Sequence, residues 1–270
     1  DKCLDEKLPT TYLCGVNCPA NPGVWKLHGA FHKKLRKDRK QREDGGASQQ
    51  RTRKAAEEQA REAAQSGDKW EGLLAEGLRH ASKEDWRKAA KAERKAIALE
   101  PDDPTAYHAL GATLSNAGHP VEAAQRFLEA KERYPVGSEG WAEVTALAFG
   151  MLQQEVCEDL AKPEWWNDEG LKALSARVVR AAPDDSGTNR MRAEVLSGVC
   201  RGAWEVERRS AVELCGMGSA RLWALGPRSA AEYKEAAVHF DRTAALSGAP
   251  AVKAEQASYA VECRSYADGM

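Results

Sequence analysis

The chain has no run of about eighteen or more apolar residues, the length a helix needs to cross a bilayer. No membrane-spanning helix and no membrane partner are expected. An excess of charge of either sign is missing too. Forty Lys and Arg stand against forty-one Asp and Glu in 270 residues, a formal net charge of −1, so no global field draws the chain to nucleic acid or to an anionic surface. Val and Ile are too scattered to alternate as strands do. There is no phosphate-cradling Gly-x4-Gly-Lys loop, no Gly-x-Ser-x-Gly elbow and no His-Glu-x-x-His pair, so these three chemistries have no residues to run on. Nor is there a basic start leading into an apolar run and a small-residue cleavage site. The first residue is Asp rather than Met, which reads as a truncated or processed N-terminus.

Cysteine is used sparingly. Of seven in all, Cys157, Cys200, Cys215 and Cys263 lie far apart in the second half, without the dense spacing of a disulfide framework. A reducing cytosolic or nuclear compartment is the expectation. Those four read as small buried apolar residues on helix faces.

What is present divides the chain in three. Residues 1–32 are rich in Cys, Pro and Gly with no helical period, as suits a small module held by a metal rather than by a core. Residues 33–68 read as a linker. Its basic helix, KKLRKDRKQR over 33–42, carries seven basic side chains and one acid, and Glu43-Asp44-Gly45-Gly46 separates it from a polar helix over 52–65. From residue 69 to 266, apolar and Ala positions recur at helical spacing. The fold class is therefore all-α. Helix ends fall at Pro101-Asp102-Asp103-Pro104, Tyr134-Pro135, Ala182-Pro183-Asp184-Asp185 and Gly226-Pro227, where Pro cannot continue a helix and Asp can cap the next.

These stops separate helix pairs, and the pairs repeat. Moving residues 104–137 back by thirty-four sets Gly77, Ala89, Ala96 and Pro101 on the sites of Gly111, Ala123, Ala130 and Pro135. Small residues at those sites let paired helices approach closely, and the Pro ends the second helix. Moving forward by thirty-four sets Trp141 on the site of Tyr107, but Thr145 replaces the Gly and Cys157 the second-helix Ala. The next matching stop, at Pro183, comes 82 residues after Pro101 rather than 68. About fourteen residues are thus inserted, within 154–170. A fourth pair is expected over 187–214, a further helix over 229–246 with Ala236 and Phe240 at the spacing of Ala123 and Phe127, and a closing helix over 250–266. Trp165-Trp166 in the insertion is read as a loop anchor in preference to an exposed partner contact.

Tyr107, Leu110, Gly111, Gly118, Ala123, Phe127, Ala130 and Pro135 resemble the signature of the tetratricopeptide repeat family. The resemblance implies a helical-hairpin solenoid that binds protein or peptide ligands on the surface made by the first helix of each pair. Members that clamp a C-terminal carboxylate carry Lys and Asn at the fifth and ninth positions of their first unit. Here those positions are Leu74 and Leu78, and in the next unit His108 and Ala112. The Lys and Arg of a third clamp unit are replaced by Glu139 and Glu143, so carboxylate capture is not implied. Leu74, Leu78, His108, Ala112 and Ser115 would line a mostly apolar groove suited to an amphipathic helix or extended peptide. Leu74 and Leu78 read equally well as core. His108 and His119, eleven apart with no nearby Cys, read as surface histidines rather than ligands.

Cys14-x3-Cys18 and His28-x3-His32 are two short-range donor pairs of the kind zinc requires. Tyr12-Leu13-Cys14-x3-Cys18 with Trp25-x2-His28-x3-His32 resembles the second half of a MYND-type finger, His32 standing where that family has its last Cys. That family binds two zinc ions through eight ligands, whereas this chain offers Cys3, Cys14, Cys18, His28 and His32. The residues admit one improvised site from Cys14, Cys18, His28 and His32, or no metal. Three functions are open to such a chain. The leading one is a non-enzymatic interaction scaffold with a zinc finger as second module. A nucleic-acid-associated protein would use the finger and the basic run, whose cations neutralise phosphates without sequence preference. A fragment of a MYND-containing methyltransferase would need catalytic residues upstream of Asp1.

Overall fold

In the computed structural model the described residues are 54, 58, 68–198 and 227–270. The helices traced here belong to one compact unit, residues 58–270. The expected zinc ligands Cys3, Cys14, Cys18, His28 and His32, the basic run 33–42, and Cys200 and Cys215 lie outside the described residues. Of the polar helix expected over 52–65, Lys54 and Glu58 are described, and both are helical.

The array is all-helical among the described residues. It runs α1 (Lys69–Ala81), α2 (Trp86–Leu99), α3 (Pro104–Asn116), α4 (Pro120–Arg133), α5 (Glu139–Leu152), α6 (Asp168–Ala181), α7 (Ser186–Ser197), α8 (Ala230–Leu246) and α9 (Pro250–Asp268), with a short 3-10 turn at Glu155–Cys157. Local sequence explains the starts. Asp68, Asp103, Ser138, Asn167 and Asp185 each accept a backbone N–H of the first turn, satisfying donors that a helix start leaves open. Pro104, Pro120 and Pro250 occupy first positions, where the missing N–H costs nothing. Ser229 and Glu232 close a reciprocal capping box on α8. Between α3 and α4 the chain reverses through Gly118 at φ 81°, a left-handed conformation natural to glycine.

Each helix packs on its neighbour in the chain, and α1 also touches α3 as α5 touches α7. First helices are thus adjacent within the first two pairs and within the last two, as in a helical repeat solenoid. The pairing α3/α4 shows what holds a unit together. A Cβ on Gly111 would lie 2.7 Å from the Phe127 ring, so only glycine admits the aromatic, which is 1% exposed. Burying such a side chain stabilises by about 1.5–3 kcal/mol. One repeat earlier, Gly77 occupies the Gly111 site and Glu93 the Phe127 site. The same gap is filled by a carboxyl chain: a Cβ on Gly77 would lie 2.9 Å from Glu93 Cγ.

Glu93 is 2% exposed and accepts a hydrogen bond from Thr113 Oγ1 at 2.8 Å. Its other oxygen has no hydrogen-bond partner. Burial drives its pKa up to about 7, against the opposing pulls of Thr113 and Arg94.

The inserted residues fall between α5 and α6, inside the third pair. Trp166 is buried in the main core and Trp165 packs beside it, with the Trp166 ring 5.7 Å from that of Phe149. The pair anchors the loop. Lys162 Nζ donates to the carbonyls of Leu152 at 3.2 Å and Cys157 at 2.6 Å, tying the loop to the end of α5. Cys157 and Cys263 are buried, Cys157 in the 3-10 turn rather than on a helix face as expected.

Of the pair expected over 187–214, α7 supplies the described part, and the rest lies outside the described residues. α7 packs on α8, with Ala193 and Leu196 against Ala236, Ala237 and Phe240. Arg228 fixes the return of the chain. It donates to both carboxylate oxygens of Asp168, at 2.9 and 2.6 Å, and to the Val195 carbonyl at 3.0 Å. Lys172 joins Asp168 at 3.1 Å and Glu232 at 2.6 Å. Burial alone would raise Asp168, yet the hydrogen bonds from Arg228 and Lys172 outweigh it and hold the carboxyl below its ordinary range.

Candidate peptide-binding groove

The first-helix surface divides into two parts. On α3, His108, Ala112 and Ser115 recur at i, i+4 and i+7, one stripe of the helix, and all three are half-buried. His108 stands edge-on to the rings of Phe127 and Tyr134, with centroids 6.1 and 6.5 Å away. Its expected place on the surface is corrected, since burial lowers its pKa; His119 is exposed as expected. On α1, Leu74 is half-buried and Leu78 is 42% exposed, so Leu78 is not a core residue. The Ser115 hydroxyl donates to Met151 Sδ at 3.5 Å, and Met151 belongs to the second part of the surface.

That second part is a cavity of about 410 Å³ lined by α5, α7, α8 and α9. Its volume lies in the range of roughly 300–1,000 Å³ typical of ligand pockets. Two small residues let its walls approach: a Cβ on Gly187 of α7 would lie 3.9 Å from the Ala146 Cβ of α5. Phe149, Met151 and Met191 give it apolar walls, and Glu143, Asp185 and Glu194 bring charge to it. Glu194 is 5% exposed and already satisfied, by Arg190 Nε at 2.6 Å and the Gln153 amide at 3.0 Å.

Among the described residues Glu143 has no such partner. Burial raises its pKa, and Asp185 and then Glu139 raise it further. Asp185 spends one oxygen on the Thr188 N–H at 2.8 Å to cap α7.

Gly187, Arg190 and Glu194 were not among the expected groove residues. The signal for them lies in the caps. Asp185 caps α7 as Asp103 caps α3, so Ser186 corresponds to Pro104, and Arg190 and Glu194 fall on the sites of His108 and Ala112. The extra residues before α6 hide that register from a fixed period of thirty-four. Among the described residues no group of three or more His, Cys, Asp or Glu is placed to hold a metal ion, and no helix is long and apolar enough to cross a membrane.

Comparison with known proteins adds one finding. Residues 93–125, from Glu93 through α3 into α4, match the tetratricopeptide repeat family. Neither curated proteins nor solved structures give a match to the chain. The helical array therefore contains a tetratricopeptide repeat, a unit that generally mediates protein–protein interaction.

Proposed function

We propose that the protein is a non-enzymatic scaffold that binds a partner's peptide segment on the first-helix surface of the array, chiefly in the α5–α7 cavity. The observation that carries this reading is the cavity itself, apolar in its walls, charged on one side, and on the face where successive first helices meet. Leu74, Leu78, His108, Ala112 and Ser115 would extend the contact toward the first hairpin, with Ser115 adjoining the cavity through Met151.

Gly150 makes the test clean. It lines the cavity, and a Cβ there would meet nothing within 4 Å, so Gly150→Leu starts its side chain in open space at the groove. Gly72 on α1 has the same open surroundings and lies away from the cavity. Peptides selected by display on the full chain should lose at least about tenfold in affinity, about 1.4 kcal/mol, on Gly150→Leu and keep it on Gly72→Leu. Equal binding by both variants would overturn the reading.

The N-terminal residues are proposed as a zinc-holding second interaction module. Cys14, Cys18, His28 and His32 would hold the metal, with Cys3 a further candidate donor, and what supports this is the donor chemistry, thiolate and imidazole in two short-range pairs. Bound zinc would supply folding energy to this segment. The purified full chain should carry about one equivalent of zinc; less than about half under metal-replete conditions contradicts the module.

A further inference from the structure

We propose that the α5–α7 groove selects a peptide segment that presents a lysine or arginine beside an apolar side chain of leucine or methionine size, with the cation lodged between Glu143 and Asp185. The proposal deepens the groove reading above and rests on it.

Charge bookkeeping in the cavity carries the inference. Four ionisable residues line it: Glu143, Asp185, Arg190 and Glu194. Arg190 and Glu194 neutralise each other at 2.6 Å. Glu143 and Asp185 remain, from two successive first helices, with Glu139 close by on the same side. Neither has a cationic partner among the described residues. Elsewhere in the array two other half-buried carboxylates are matched by cations, Asp168 by Arg228 and Lys172 and Glu232 by Lys172. Two carboxylates held together without a counter-charge cost free energy that an incoming cation would relieve.

The rest of the cavity suits the remainder of such a ligand. A lysine or arginine stem lies along apolar surface while its head reaches a charge, and Leu147 and Val252, with Met151 behind them, offer that surface. Methionines adapt to differing apolar side chains. An anionic or phosphorylated segment would instead meet uncompensated carboxylates. The charge is thus the reverse of a carboxylate clamp, with Glu139 and Glu143 where a clamp has Lys and Arg.

The test uses the full chain and two fluorescein-labelled probes, one a peptide of alternating leucine and lysine, the other of alternating leucine and glutamate. The lysine probe should bind at least about tenfold more tightly, and more weakly as salt rises. The double variant Glu143→Gln with Asp185→Asn removes both charges while Asn keeps the α7 cap. It should weaken the lysine probe about tenfold, leave the glutamate probe no weaker, and leave the melting temperature no lower. Tighter or equal binding of the glutamate probe, or an unchanged lysine affinity in the double variant, overturns the cation preference. If Gly150→Leu then still abolishes binding, the groove reading stands alone; if Gly150→Leu changes neither probe, both fall.

Discussion

The first two hairpins are one sequence idea executed twice with different chemistry in the same gap. In α3/α4 the glycine faces an aromatic ring, and in α1/α2 the same glycine site faces Glu93. The small-residue frame is kept, so the backbones pair alike, but the filling changes from a stabilising ring to a carboxyl group whose charged form is penalised. A repeat frame therefore specifies how closely two helices come, and leaves open what is buried between them. The third and fourth pairs extend the point. α5 meets α6 across inserted residues and α7 meets α8, and there the first-helix face opens into a cavity.

The comparison can be broken most sharply at Phe127. Phe127→Ala should cost about 3–5 kcal/mol, read by urea or thermal unfolding, because a fully buried ring leaves a cavity. Glu93→Ala should cost far less at neutral pH, since it also removes a buried carboxyl with one unpartnered oxygen. Losses of equal size would show that the two gaps are filled equivalently.

The second effect is the pH dependence that Glu93 contributes from the first hairpin. Glu93 has its folded pKa raised from 4.5 to about 7, so the folded state holds its proton more tightly than the unfolded chain. The penalty is absent below about pH 4.5, grows as pH rises toward 7 and is complete above it, reaching about 3 kcal/mol. Glu93→Gln should thus match the parent near pH 4.5 and exceed it by about 3 kcal/mol at pH 8. A pH-independent difference between the two would place the carboxyl in water.

Smaller effects come from the glycines. Gly111→Ala sets a methyl group against a rigid ring and should cost about 1–3 kcal/mol. Gly77→Ala meets a side chain that can rotate away, and helix propensity gains about 1 kcal/mol at the same time, so its net effect should stay within about 1 kcal/mol. Gly150→Leu, whose Cβ meets nothing within 4 Å, gains helix propensity and should stabilise by about 0.5–1 kcal/mol, while changing binding most.

Much of this was legible in the chain before any coordinates. Helix spacing, the Pro and Asp stops, the small-residue sites of the first two units and the position of the insertion all follow from local rules that act within a few residues. Trp165 and Trp166 were readable as an anchor because two large aromatics after a Pro bury most easily together. The cavity was not legible. Its walls come from helices whose register is broken by inserted residues, so Arg190 and Glu194 align with His108 and Ala112 only once the caps on Asp103 and Asp185 are matched. The packing of α7 on α8 was not legible either, since long-range contact of Ala193 with Ala236 leaves no mark on nearby sequence. Glu93 escaped notice because its meaning depends on what Gly77 leaves room for.

The account stands on one claim, that ligand binds where α5 and α7 meet. Amide hydrogen exchange of the full chain, with and without a saturating display-selected peptide, tests it directly. Slowed exchange is predicted in α5 and α7, lost in Gly150→Leu, with α1 and α2 little changed. Protection confined to α1 and α2, or unchanged exchange in α5 and α7 with peptide bound, would contradict it.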